Sequence, residues 1–172
     1  MSAPHHAQIE PLVERLSPLL ETVAELPLDD CRDHEAASRI AAQLERTHPA
    51  KSPPVQALAQ ALRAGIDQGW LCDRGKPHAR FGRIAKPTAK TRDLSIDLVS
   101  LEGAGLRHRH PRGEVTLAFA ADPERDDGRF DDHPSGWIVM PAGSVHTPTV
   151  TGPRMLTLYF LPGGAAEWNP PD

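Results

Sequence analysis

The sequence predicts a mainly β domain preceded by an α-helical region, and three observations carry that prediction. From Ile9 to Ile66 the apolar residues recur at helical spacing. Beyond Trp70 the spacing shortens to period two, in brief segments separated by Gly and Pro. No helical pattern interrupts those later segments, which excludes βαβ units and leaves a sandwich or small barrel. The change near Trp70 divides the chain into a helical N-terminal region, 1–75, and a β-barrel, 76–172.

The first helix carries its stripe on Ile9, Leu12, Val13, Leu16, Leu19, Leu20 and Val23. Pro11 suits a first turn, whereas Pro18 is expected to kink or split the helix. A second helix after Asp33 uses Ala37, Ile40, Ala41 and Leu44 and stops before Pro49. The third starts with Ser52 as N-cap and Pro53 at its first position, then runs through Val55, Leu58, Ala61, Leu62 and Ile66. Gly69 supplies the C-terminal stop. The stripes are packing faces, against the barrel or against a second copy in a homodimer. His5, His6, His34 and His48 stand singly and read as surface residues.

Strands are expected over Ala79–Lys86, Leu94–Leu101, Arg107–His110, Glu114–Ala121, Gly136–Met140, Ser144–Val150 and Arg154–Leu161. Loops fall at 90–93, 102–106, 122–135, 141–143 and 151–153. The 122–135 loop is acidic, but its spacing does not match a calcium loop, so it reads as solvated surface, His133 included.

Composition narrows the function classes. The chain has 172 residues, 39% hydrophobic and 24% charged, which suits a soluble globular domain. Its net charge of -4 with dispersed basic residues argues against nucleic acid or an anionic membrane as partner. Cys31 and Cys72 are far apart, so a disulfide framework is not expected. The start lacks a secretory pattern, and no apolar run nears the roughly 20 residues of a bilayer span. A cytoplasmic location is the expectation.

The chemistry concentrates in Arg107-His108-Arg109-His110-Pro111-Arg112-Gly113-Glu114. Residues two apart on a strand share a face, so His108 and His110 project together. Glu114 has the same parity and returns to that face if 111–113 makes only a local bend. His146, after the Pro141-Ala142-Gly143 turn, is the candidate fourth ligand. Three imidazoles and one carboxylate suit a divalent transition metal: Fe, Mn, Zn, Ni or Cu. Such a site leaves open coordination positions for Lewis-acid polarisation of a substrate.

These residues resemble the two motifs of the cupin superfamily, a double-stranded β-barrel or jelly roll. His108, His110 and Glu114 match the first motif; Pro141, Gly143 and His146 match the second. The leading glycines are displaced by one, to Gly103 and Gly136, while Ala121 and Val150 replace the closing glycine and asparagine. A wider resemblance, through the runs 82–87, 108–114, 136–146 and 155–165, is to the 4-hydroxylaminobenzoate lyase family of nitroarene-degrading bacteria. It implies conversion of 4-hydroxylaminobenzoate to 3,4-dihydroxybenzoate with release of ammonia, in 4-nitrobenzoate degradation.

A small aromatic carboxylate substrate calls for a cation, best the fork of an arginine. Arg80, Arg83, Lys86, Arg107, Arg109, Arg112 and Arg154 are available. Parity turns Arg107 and Arg109 away from the ligands, and Arg83 and Lys86 are the choice. Tyr159 is the candidate proton donor or ring contact, with a core aromatic as the alternative, and Trp137 is expected in the barrel wall. Other functions on the same barrel are an iron-dependent dioxygenase and a non-catalytic binder of an aromatic acid.

Overall fold

A computed structural model describes residues 3–170, and the side chains from residue 7 to residue 170. The elements are α1 (Ala3–Ala24), α2 (His34–Thr47) and α3 (Pro53–Asp67), followed by ten strands. These are β1 (Arg74–Lys76), β2 (Ala79–Ala85), β3 (Leu94–Ala104), β4 (His108–Arg109), β5 (Glu114–Ala120), β6 (Arg129–Phe130), β7 (Gly136–Met140), β8 (Val145–His146), β9 (Thr149–Pro162) and β10 (Glu167–Trp168).

Two antiparallel sheets hold the β region. The larger has the order β1-β2-β3-β9-β5-β7, with β6 also paired to β9, and the smaller has β10-β4-β8. This is the expected mainly β, cupin-type jelly roll after a helical region. It is formed by two sheets and not by one closed hydrogen-bonded cylinder.

The central strands are apolar on both faces because both faces are covered: every residue of β5 and of β7 is buried. One face, with Ile96, Leu98, Val115, Leu117, Leu158 and Phe160, shares a hydrophobic cluster with Leu16 and Leu20 of α1, Leu44 of α2 and Leu58 and Leu62 of α3. The other face carries a second cluster of Leu101, Ala118, Ile138, Met140, Met155, Tyr159 and Leu161, closed by Phe130. The helical stripes therefore pack in cis on the sheet. Trp137 belongs to the helix-facing cluster and donates its indole N–H to the carbonyl of His48, at 2.7 Å.

Several local expectations change. α1 is a single helix with Pro11 and Pro18 inside it, so Pro18 does not split it. The buried face of Leu16, Leu19, Leu20 and Val23 holds both sides of Pro18 against the sheet. Ser52 occupies the N-cap of α3, but its side chain makes no capping bond. Gly69, at φ +76°, does take the left-handed conformation past the end of α3. The expected turn at 151–153 lies inside β9: Gly152, at φ +82°, lets that strand bend and stay paired. β3 likewise continues through a register shift to Ala104, where a loop was expected.

His34 is exposed, as expected, while His5 and His6 lie outside the described side chains. His48 departs from the surface reading. It is half-buried, with its Nε2 2.7 Å from the Thr22 hydroxyl. Burial holds its pKa below the usual histidine value. A histidine with a lowered folded pKa gives stability that is present above its unfolded pKa of ~6.5 and lost as pH falls from there through the lower folded value. H48Q, which does not titrate, is expected to show a shallower fall in Tm between pH 7 and pH 5 than the wild type. Thermal scans by circular dichroism across that range check the slope.

Candidate metal centre

The turn between His110 and Glu114 does more than bend locally. It carries the chain from the smaller sheet to the larger one: His108 lies on β4, whereas Glu114 opens β5. Gly113 enables the crossing with φ +79°, and its N–H donates to the His110 carbonyl at 3.2 Å. A Cβ there would sit 3.1 Å from the Met140 carbonyl oxygen. The second turn is locked to the first. Gly143 N–H donates to the His110 carbonyl at 2.7 Å, and His110 N–H to the Ser144 carbonyl at 3.0 Å. His146 is then paired directly opposite His108 across β4 and β8.

The four side chains converge. One donor atom from each of His108, His110, Glu114 and His146 lies within 4.8 Å of the others. The His146 Nε2 is 3.0 Å from His110 Nε2 and 3.2 Å from His108 Nε2. His110 Nε2 is also 3.0 Å from Glu114 Oε2, yet that oxygen has no hydrogen-bonded partner, so the short contact lacks donor geometry. Glu114 Oε1 does have one, the Thr116 hydroxyl at 2.6 Å.

Two outer nitrogens are engaged away from the centre. His108 Nδ1 lies 2.8 Å from the Leu106 carbonyl, which can only accept. His146 Nδ1 lies 2.7 Å from the Asp131 carboxylate. Both rings thereby carry their proton on Nδ1 and turn a lone pair on Nε2 inward.

The electrostatics agree with the donor set. Burial lowers His108, and burial with the neighbouring imidazoles pushes His110 down to about 2, so both are neutral. Burial raises Glu114 to about 7, against the lowering influence of His146 and Thr116. The His146 pKa is raised: its burial is outweighed by the Asp131 bond and the charges of Glu114 and Asp131. A buried carboxylate oxygen without a proton donor, facing three inward nitrogens, is costly unless a cation fills the gap. The four residues fit a divalent metal ion.

Asp131, which the sequence places in a solvated loop, is the further residue that the structure brings to the candidate site. It follows Phe130, which is fully buried and pairs with Val150, so the acidic segment is anchored where β6 meets β9. Its Oδ1 also accepts the Thr149 N–H at 2.8 Å. An aromatic residue inside an otherwise polar run was the available signal. His133, in the same loop, is exposed and stands apart from the cluster.

The other candidates divide. Tyr159 pairs with Thr116, and Thr116 has the parity of Glu114, which puts Tyr159 on the metal-facing side of the sheet. It is nearly buried, and burial, then the charge of Glu114, raises its pKa well above the usual value. Arg83 lies in the same cross-strand row, next to Asp97, which pairs with Tyr159. Its fork is already on that carboxylate, at 2.8 and 3.3 Å. Lys86 is exposed, beyond the end of β2. Arg80 donates to the Cys72 carbonyl, Arg109 contacts Glu167, and Arg154 contacts Glu102. Arg112 grips Asp29 through both fork nitrogens, at 2.9 and 2.8 Å.

The family of 4-hydroxylaminobenzoate lyase, PnbB, matches residues 21–168. The chain belongs to that family. A 4-hydroxylaminobenzoate lyase of Pseudomonas putida is 25% identical over 153 residues, covering 80% of this chain and 87% of the relative. One from Nocardioides sp. (strain LMS-CY) is 24% identical over 149 residues, covering 83% and 88%. Among solved structures, an RmlC-like cupin protein from Ralstonia eutropha JMP134 is 17% identical, with TM-score 0.38, over 54% of this chain and 68% of its own. A DMSP lyase structure is 16% identical, with TM-score 0.48, over 96% and 100%. The chain is thus a lyase-type enzyme, and no described helix is long and apolar enough to cross a membrane.

Two outcomes are expected from substitution. Replacing His110 and Glu114 together by Ala and Gln abolishes stoichiometric metal in the purified protein, read by elemental analysis. D131A lowers metal affinity by about 10- to 100-fold, as loss of a histidine's outer carboxylate does, read by competition with a chromogenic chelator. Full metal content in the double variant would sink the ligand assignment.

Proposed function

We propose that this protein converts 4-hydroxylaminobenzoate to 3,4-dihydroxybenzoate and ammonia, in the breakdown of 4-nitrobenzoate, with a divalent metal held by His108, His110, Glu114 and His146. The observation that carries the reading is the convergence of three imidazole Nε2 atoms and one unpartnered carboxylate oxygen in a member of this lyase family. The overall change adds one water and expels one ammonia. The N–O bond breaks, a C–O bond forms at the neighbouring ring carbon, and the C–N bond is hydrolysed, with no external oxidant or reductant.

A divalent ion, when bound, supplies Lewis-acid polarisation of the N–OH oxygen. The remaining work falls to the chain. Asp131 and the Leu106 carbonyl hold His146 and His108 in the tautomer that presents Nε2. Thr116 keeps Glu114 turned inward through Oε1. Tyr159 retains its phenolic proton at neutral pH, since burial and Glu114 both disfavour the phenolate. It is therefore a proton donor for the departing hydroxyl. Arg83 receives the substrate carboxylate, sharing its fork with Asp97, and Lys86 adds a second positive charge nearby.

Purified, metal-loaded protein is expected to form 3,4-dihydroxybenzoate and ammonia in equal amounts from 4-hydroxylaminobenzoate, without oxygen uptake. Chelator stops turnover, and added divalent metal restores it. Oxygen consumption in step with product would replace this reading by a dioxygenase; binding without product would replace it by a carrier. R83M is expected to raise KM by about 10- to 100-fold, the loss of a charge-assisted bond, with a smaller change in kcat. Steady-state kinetics separates the two constants.

A further inference from the structure

Trp168 is an exposed indole set beside the metal centre. It is 63% exposed, although it is one of the largest apolar side chains in the protein. It pairs directly opposite His108 on β4, and His108 pairs opposite His146 on β8. The three side chains therefore form one cross-strand row on one face of the small sheet. The indole centroid is 5.0 Å from the His108 ring, with the planes tilted by 53°. His108 itself is buried, so Trp168 stands between that ligand and solvent.

The segment bearing Trp168 is fastened on both sides. Glu167 meets Arg109 at 3.3 Å. Asn169 N–H donates to the Arg107 carbonyl at 3.1 Å, and the Arg107 guanidinium bonds the Pro170 carbonyl. The indole is thus held in place while most of its surface stays open to water. Leu106, whose carbonyl takes the His108 proton, is 69% exposed. Two of the four large exposed hydrophobic residues among the described residues thus sit immediately around one metal-ligand candidate.

We propose that Trp168 is the ring-contacting residue of the substrate site. It would stack on the aromatic ring of the bound carboxylate and set the preference for aromatic over aliphatic acids. The inference rests on the aromatic-carboxylate reading of the metal centre. Offset or edge stacking between aromatic rings adds stabilisation beyond the area buried, and a rigid indole loses little freedom in providing it.

Isothermal titration of the metal-loaded protein with 4-aminobenzoate tests this, because that ligand keeps the ring and carboxylate but has no N–O bond to break. Cyclohexanecarboxylate is the non-aromatic comparison. The wild type is expected to bind 4-aminobenzoate more tightly than the cyclohexane acid. W168A weakens 4-aminobenzoate binding by about two- to twelvefold, the range for an aromatic pair. It leaves the cyclohexane acid and the metal content unchanged, and W168F retains most of the ring affinity. Unchanged 4-aminobenzoate binding in metal-loaded W168A overturns the proposal while leaving the lyase reading intact. Ring-selective binding that depends on Trp168, without any lyase product, upholds it and sinks the lyase reading. A wild type that binds neither acid overturns both. If W168A loses metal, W168F decides: wild-type ring selectivity supports the proposal, and lost selectivity at full metal content overturns a general aromatic contact.

Discussion

Four metal-ligand-type side chains brought together in a buried space, one carboxylate oxygen of them without a hydrogen-bond partner, are the constraint on which this structure turns. His108, His110 and His146 present Nε2 inward, and Glu114 Oε2 has no partner. Such a set is unfavourable in an apolar interior and becomes favourable only around a cation. The surroundings serve that purpose. The Leu106 carbonyl and the Asp131 carboxylate fix ring tautomers, Thr116 restrains the carboxylate, and the second hydrophobic cluster excludes water on the sheet side.

The helical region participates in this arrangement beyond covering the sheet. The 3-10 turn Leu28–Asp30 follows α1, and its Asp29 holds the Arg112 fork inside the turn between His110 and Glu114. The Cys31 carbonyl accepts the Ala142 N–H from the second turn at 2.8 Å. The segment joining α1 to α2 thereby buttresses both turns that aim the ligands. Arg112 lowers the Asp29 pKa through their hydrogen bond, as expected for a two-bond pair, although both side chains are partly exposed and the pair's contribution is screened. Its value here is geometric. Arg112 looked available for a substrate carboxylate, and this contact is why it is not.

Most of the candidate centre was legible because its information is local. His-x-His parity and the offset to Glu114 follow from the repeat of the extended chain, and the Pro-x-Gly turn before His146 is a local signal too. The helical stripes were legible for the same reason, and they pack on the sheet where those faces had to go. Asp131 was not legible. Its role depends on β6 joining β9 through Phe130, a pairing between residues far apart in the chain. Trp168 was missed likewise: nothing near it in sequence marks it, and only the β10–β4 register brings it to His108.

By itself, then, the sequence determined the fold class through periodicity and singled out the candidate ligands through spacing and short motifs, while the family followed from a wider resemblance along the chain. The tertiary structure decided which carboxylate each cation meets. Arg112 is on Asp29 and Arg154 on Glu102, while Arg83 shares its fork with Asp97, pairings that no spacing rule encodes. It also decided that Glu114 stands on a different sheet from His108 and that Pro18 stays within one helix. The reason is common to all of these. Each depends on which distant segment lies opposite, and that is set by burying two hydrophobic clusters at once, not by the preference of any one segment.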